Sequence, residues 1–163
     1  ECIDTPGHSQ GHVCLYEPNL KFFVAGDHIL GNVTPNISGF FQTGSPLHDY
    51  RASLEKVAGY DVALTLPGHR QLIRDFKGRI AELIQHQEAR STEVRGLLRR
   101  GPMSAYEMAG VMHWDMHFAS WADFPVMQQW FATGEALSHL LYLVGEGHAS
   151  QDADGEITRF SLV

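Results

Sequence analysis

The sequence predicts an α/β fold in two regions. Three observations predict it. Short apolar runs end in tight turns that carry His or Asp; strands and a helix alternate over residues 1–75; and residues 76–163 read as successive helices closed by a hairpin. Strand, helix, strand with polar turns at the strand ends fits the second half of an αββα sandwich. Helix, helix, helix, hairpin fits a winged-helix α+β domain.

In residues 1–75, His12–Tyr16 and Leu20–Ala25 are rich in β-branched and aromatic residues. Glu17-Pro18-Asn19 separates them and predicts a hairpin. Pro46–Gly59 carries Leu47, Tyr50, Leu54 and Val57 at helical spacing, with Ala58 and Gly59 as its stop. Asp61–Leu66 predicts a further strand, ended by Pro67-Gly68.

In residues 76–163 and the approach to them, Asp75–Arg99 has a helical stripe of Phe76, Ile80, Leu83, Ile84, Val94, Leu97 and Leu98, with a break expected near Ser91 and a stop at Gly101-Pro102. Ser104 with Glu107 three residues on has capping-box spacing and starts the next helix. Val126–Val144 predicts a long helix with Phe131, Leu137, Leu140, Leu141 and Val144 on its apolar side, stopped by Gly145 and Gly147. His148–Ser150 and Ile157–Leu162 predict two strands around the turn Asp152-Ala153-Asp154-Gly155. The aromatics Trp114, Phe118, Trp121, Phe124, Trp130 and Phe131 are expected in the core of this region, with an acyl-binding wall as the alternative.

Composition bounds the function. The 163 residues are 44% hydrophobic and 19% charged, which suits a globular chain of one domain or two small ones. No apolar run approaches the roughly 20 residues that span a bilayer, and no secretory leader pattern is visible. Cys2 and Cys14 make no paired-cysteine motif, so both are expected as small core residues in a reducing cytoplasm. A formal net charge of −7 disfavours a polyanion partner. From Arg90 to Val163 five basic residues face nine acidic ones, the helix Val126–Val144 has no Lys or Arg, and the hairpin tip is acidic. A phosphate backbone would be repelled there.

The chemistry sits in three blocks: Thr5–His12 (TPGHSQGH), Ala25–His28 (AGDH) and Leu66–Arg70 (LPGHR). Pro and Gly fix each turn, while imidazole nitrogen and carboxylate oxygen suit zinc and related ions. In this order and spacing the blocks resemble the later part of metallo-β-lactamase-fold hydrolases, glyoxalase II-like enzymes and the β-lactamase-like protein 2 group in particular. The resemblance covers nearly the whole chain and implies the second half of that αββα sandwich followed by a winged helix. It implies His8 as a ligand of one metal, His69 of a second, and Asp27 as the carboxylate bridging them. It also implies two divalent ions, zinc by default with iron and manganese open, and hydrolysis of an ester, thioester or lactone by metal-bound hydroxide. The family's earlier HxHxDH motif is missing, and the chain starts at Glu1, so a larger parent is expected and this chain alone is expected to bind metal weakly and be inactive.

His8 and His12 are four apart, but Pro6, Gly7 and Gly11 argue against a helix that would pair them. His12 is expected to support the turn. His28 is expected at the surface, at the substrate or behind Asp27. The polar loop Gly31–Ser45 is a candidate lining for a substrate entrance. His48, His86, His113, His117, His139 and His148 follow no ligand spacing. An RNA phosphodiesterase of the same fold is the rival enzyme, and a non-catalytic winged-helix binding protein the rival of another class. A small-molecule substrate is the expected partner, with a homodimer through an exposed sheet as a further expectation.

Overall fold

The computed structural model describes residues 1–40, 43–116, 118–153 and 156–163; Phe41 and Gln42 of the polar loop, His117, and Asp154 and Gly155 of the hairpin turn lie outside them. The chain divides into two compact units, 1–37 with 46–88 and 38–45 with 89–163.

The first unit is built on a four-stranded sheet in the order β1 (Cys2–Asp4), β2 (Val13–Glu17), β3 (Phe22–Gly26), β4 (Leu64–Pro67). β1 pairs with β2 and β2 with β3 antiparallel, with Ile3 opposite Cys14 and Leu15 opposite Val24. β4 joins β3 in parallel after a crossover through helix α1 (Pro46–Val57). Side chains alternate across a strand, so Ile3, Cys14, Tyr16, Phe23, Ala25 and Thr65 fill one face. Leu47, Tyr50, Leu54 and Val57 of α1 are fully buried, as their spacing predicts. Phe76 opens helix α2 (Phe76–Leu97) and meets Phe23 ring to ring at 4.9 Å.

The other face of the sheet is apolar too. Val13, Leu15, Phe22 and Val24 are between 36% and 49% exposed, so the strands carry no polar face. Strands apolar on both sides are those that a sandwich or a parallel sheet buries twice.

Helix α2 is continuous and does not break near Ser91. The Ser91 hydroxyl is instead paired with Nδ1 of buried His139 at 2.9 Å, which removes the solvation that would favour a break. The second unit takes over at Ala89. It contains helix α3 (Ala105–Val111), helix α4 (Val126–Gly145) and the hairpin β5 (Ala149–Asp152)–β6 (Arg159–Leu162). The capping box forms in full, with the Ser104 side chain accepting from Glu107 N and the Glu107 carboxylate accepting from Ser104 N. Asp152, expected in the turn, ends β5.

Two packing expectations are corrected. The buried side of α4 is made of small residues, Ala132, Gly134, Ala136 and Ser138, with His139, Leu140 and Leu143. Phe131 points outward, because small residues let neighbouring backbone approach closely on the opposite side. Phe118, Trp130 and Phe131 are exposed, so they are not core; Phe124 is buried, and Trp114 and Trp121 pack on the core from its margin. Cys14 is buried as expected, but Cys2 is exposed, since it points to the outer face of the edge strand.

One ion cluster braces this unit. Nearly buried Arg90 donates to Glu93 at 2.7 Å, to Glu135 at 3.3 Å and to the His113 carbonyl at 2.6 Å, and its guanidinium lies 4.4 Å from the Trp114 ring centre. Burial raises the Glu135 carboxyl above its usual range, against the pull of Arg90.

Candidate metal centre

Three turns at the ends of the first unit's strands bring the site together. β1 runs into Thr5–His12, held by Thr5 N–H donating to the His12 carbonyl at 2.9 Å. Gly7 has φ +140°, and a Cβ there would lie 2.4 Å from Tyr50 Cβ, so this turn closes only with glycine. Ser53 donates to the Pro6 carbonyl at 2.9 Å and fastens the turn to α1. Gly26, at φ +52°, ends β3 and swings the chain so that Asp27 leaves the sheet sideways. After β4, Gly68 N–H donates to the Gly26 carbonyl at 2.7 Å. A Cβ at Gly68 would sit 2.6 Å from Asp27 Oδ1, so the third turn lies directly against the carboxylate of the second.

His8, Asp27 and His69 therefore converge. His8 Nε2 is 3.8 Å from Asp27 Oδ2, and His69 Nε2 is 3.4 Å from Asp27 Oδ1. Each imidazole faces a different oxygen of one carboxylate. His8 Nδ1 is 3.0 Å from the Asn36 carbonyl, which can only accept, so Nδ1–H is the donor. All three side chains remain partly open to solvent.

Each His–Asp separation is near that of two ligands on one ion. Ligand atoms about 2.0–2.1 Å from a tetrahedral zinc stand about 3.3 Å apart, close to the two His–Asp separations. Among the described residues no group of three or more His, Cys, Asp or Glu side chains could hold an ion by itself. The arrangement is two pairs that share Asp27, each short of the usual three protein ligands.

Behind the three lie His12 and His28. His12 Nδ1 is 2.8 Å from the Thr5 hydroxyl, and Thr5 also meets Cys14 Sγ at 3.3 Å. Burial, and next the nearby His8, lower the His12 pKa; Asp27 opposes them. His28 has no exposed surface, which corrects the expectation of a surface or substrate-contacting residue. Its ring packs edge-on to Tyr50 at 5.2 Å and 5.9 Å from His12, and Tyr50 donates to its carbonyl at 3.0 Å. Burial first, then His12, pushes its pKa down to about 3, so it is a neutral packing residue beneath the Asp27 turn. Burial pushes the Cys14 thiol up to about 11, so it is no nucleophile. The start of the polar loop is held by Arg79, which donates to the Leu30 and Val33 carbonyls at 2.7 and 2.8 Å.

Sequence reasoning placed Asn36 in the polar loop and Gly68 in the third turn, but foresaw the role of neither. Asn36 acts through its backbone carbonyl, which leaves no side-chain signal. Gly68 was legible as a turn residue, but not as the wall of a carboxylate pocket.

Comparison with known proteins identifies the fold. Residues 3–69 match the family model "Metallo-beta-lactamase superfamily", and residues 92–163 match "Metallo-beta-lactamase-like, C-terminal domain". The chain is 29% identical over 111 residues to a probable metallo-hydrolase, YqjP, of Bacillus subtilis, covering 65% of this chain and 35% of that protein. It is 31% identical over 97 residues to the beta-lactamase-like protein 2 homolog of Caenorhabditis elegans, covering 60% and 30%. A beta-lactamase domain protein from Burkholderia ambifaria superposes on the whole chain with a TM-score of 0.89 at 29% identity, over 48% of its own length. A metallo-beta-lactamase family protein from Thermus thermophilus does so with a TM-score of 0.82 at 29% identity, over 49% of its length. The chain thus spans about a third of the curated relatives it matches and about half of these solved chains. It has the metallo-β-lactamase superfamily fold, with metallo-hydrolase and β-lactamase-like homologues.

Proposed function

We propose that this chain is the later part of a metal-dependent hydrolase that cleaves an ester, thioester or lactone. The observation that carries the reading is the Asp27 carboxylate, with one imidazole nitrogen facing each oxygen. His8 with Asp27 would hold one divalent ion, and Asp27 with His69 a second, zinc being the ion this donor set suits best and iron or manganese the alternatives. Two such ions, when bound, make a shared water acidic enough to ionise near neutral pH and polarise the scissile carbonyl. The chain's own residues have the supporting tasks. Asn36 fixes the His8 tautomer, Gly26 and Gly68 place the Asp27 carboxylate, and His12 with Thr5 braces the first turn.

The apolar outer face of the sheet supports a second layer over Val13, Leu15, Phe22 and Val24: the other half of the sandwich in the whole protein, or a second copy when this chain stands alone. Leaving apolar surface in water costs roughly 25 cal/mol per Å². The second unit, with three helices and a hairpin, is read as a winged helix used for packing or substrate binding. Its acidic balance weighs against nucleic acid, and two unpaired cysteines suit the cytoplasm.

Metal analysis of the full-length protein, with a screen of ester, thioester and lactone hydrolysis, tests this reading. Wild type should hold metal and turn over at least one substrate class, and Asp27→Ala should lose both. An active full-length protein with no bound metal, or unimpaired turnover in Asp27→Ala, refutes it. Light scattering of the 163-residue chain tests the exposed face: a clean monomer excludes the dimer.

A further inference from the structure

The loop that follows β4 holds one residue against its conformational preference. Arg70 has φ 72°, in the left-handed region that glycine enters freely. Among other residues Asn, Asp and His are the ones enriched there, and Arg is not. Such a conformation persists only where the surroundings impose it, and it gathers at functional sites.

The surroundings impose it from three sides. At the base, Thr65 N donates to the Ile73 carbonyl at 2.8 Å and Ile73 N to the Thr65 carbonyl at 3.1 Å, which closes residues 66–72 into a loop. On the near side, His69 Nε2 faces Asp27 Oδ1 at 3.4 Å, and Gly68 N–H is bound to the Gly26 carbonyl. On the far side, Gln71 lies against Gly31: a Cβ there would stand 2.9 Å from Gln71 Cγ and 3.1 Å from its carbonyl oxygen. Arg79 fixes the chain around Gly31 through the Leu30 and Val33 carbonyls. Arg70 thus stands between two pinned neighbours, the first of them a metal-site imidazole.

Glycine would occupy this position without strain, yet it carries a guanidinium. Arg70 is exposed and makes no hydrogen bond or ion pair with a described residue, so no internal bond accounts for it. A guanidinium offers paired N–H donors that match the two oxygens of a carboxylate. Held one residue from His69 and not consumed by the protein, it is available to a ligand of the metal centre. An anion approaching Asp27 in a chain of net charge −7 needs such a partner.

We propose that Arg70 determines specificity in the hydrolase proposed above, by receiving a free carboxylate that the substrate carries close to its scissile bond. The substrate class is then an ester, thioester or lactone of a dicarboxylic acid. The proposal rests on the hydrolase reading.

The test uses the full-length protein and has two arms. In the first, kcat/KM is compared for mono(4-nitrophenyl) succinate and its methyl ester. In the second, which needs no turnover, calorimetry compares succinate with monomethyl succinate. Wild type should favour the free carboxylate at least about tenfold in both arms (about 1.4 kcal/mol). Arg70→Gly should keep its metal and lose that preference, and Arg70→Lys should keep part of it. Thermal unfolding checks the strain: Arg70→Gly should melt at least about 2 °C above Arg70→Ala. Turnover of both esters without preference, or a preference that survives in Arg70→Gly, would overturn the proposal and leave the hydrolase standing. Loss of metal in Arg70→Gly would overturn it too, making Arg70 a part of the turn. Succinate selectivity that depends on Arg70 in a protein that cleaves no ester, thioester or lactone would support the carboxylate site and count against the hydrolase.

Discussion

Gly7→Ala is the substitution in the Thr5–His12 turn whose cost can be worked directly from the structure. Gly7 has φ +140°, a region open to glycine but strained for alanine, and such a residue costs about 1–3 kcal/mol. The new Cβ would lie 2.4 Å from Tyr50 Cβ, 2.5 Å from its Cα and 2.8 Å from its N. Carbon atoms settle at about 3.5–4.0 Å, so turn and helix must part by about 1 Å. The obstacle is helix backbone, which cannot rotate away as a side chain could. Overpacking of this kind costs about 1–3 kcal/mol, and together the two effects give about 2–6 kcal/mol. A chain of this size loses about 2–4 °C of Tm per kcal/mol, so Gly7→Ala should melt at least about 4 °C lower. Gly11→Ala, four residues on in the same turn, is the control: nothing lies within 4 Å of its Cβ, and its φ is not positive. It should stay within about 0.5 kcal/mol of wild type. The assay is thermal unfolding by circular dichroism on all three chains. A Gly7→Ala chain as stable as Gly11→Ala would refute the reasoning.

Gly68→Ala puts a methyl 2.6 Å from Asp27 Oδ1; a misplacement of about 1 Å can cost roughly a hundredfold in rate, and metal content and turnover of the full-length protein should fall with little loss of helix signal. Arg90→Ala leaves Glu93 and Glu135 without their cation, and breaking such a buried pair costs about 3–5 kcal/mol, read as a drop in urea midpoint. Glu107→Ala keeps the Ser104 cap but removes the carboxylate half of the α3 capping box and the forked ion pair with Arg159; it should cost about 1 kcal/mol and speed amide exchange at the start of α3. For His28, the folded pKa of about 3 lies below the ordinary 6.5, so the unfolded chain binds the extra proton. Its contribution is fully present above pH 6.5 and is lost as pH falls towards 3, at up to about 1.4 kcal/mol per pH unit; equilibrium unfolding of wild type and His28→Phe across that range should differ in slope by about this amount.

What the sequence made legible follows from which forces act locally. The stripe Leu47, Tyr50, Leu54, Val57 repeats at helical period, and all four are buried. Ser104 and Glu107 needed only their own spacing to form the capping box. The three turns that bring His8, Asp27 and His69 together were readable because Pro and Gly limit the backbone around them. Strand β1 was not legible as an element, being three residues long and defined only by pairing with β2. Ser91 read as a break because its competing hydroxyl finds a partner, His139, that is 48 residues away. The outward aromatics of α4 escaped the reading because helical period marks a stripe but not its direction. The small residues that pack opposite carry little hydrophobic signal.

The two apolar faces of the sheet have a consequence for register. A one-residue slip between strands normally throws core side chains into water, and that penalty keeps pairing honest. A slip of β3 on β2 would exchange Phe23 and Ala25 for Phe22 and Val24, all acceptable inside. The hydrophobic pattern therefore does not choose the alignment; polar bonds at the strand ends do. Glu17 caps the hairpin by accepting from Leu20 N and Asn19 Nδ2, and Lys21 completes the bend at φ 55°. Tyr16 N donates to the Glu1 carbonyl and Thr5 N to the His12 carbonyl, setting β1 on β2. A slipped β3 would turn Asp27 to the opposite side of the sheet, away from both imidazoles. The hairpin at Glu17–Lys21, at the far end of the strands, thus acts as proofreader for the carboxylate.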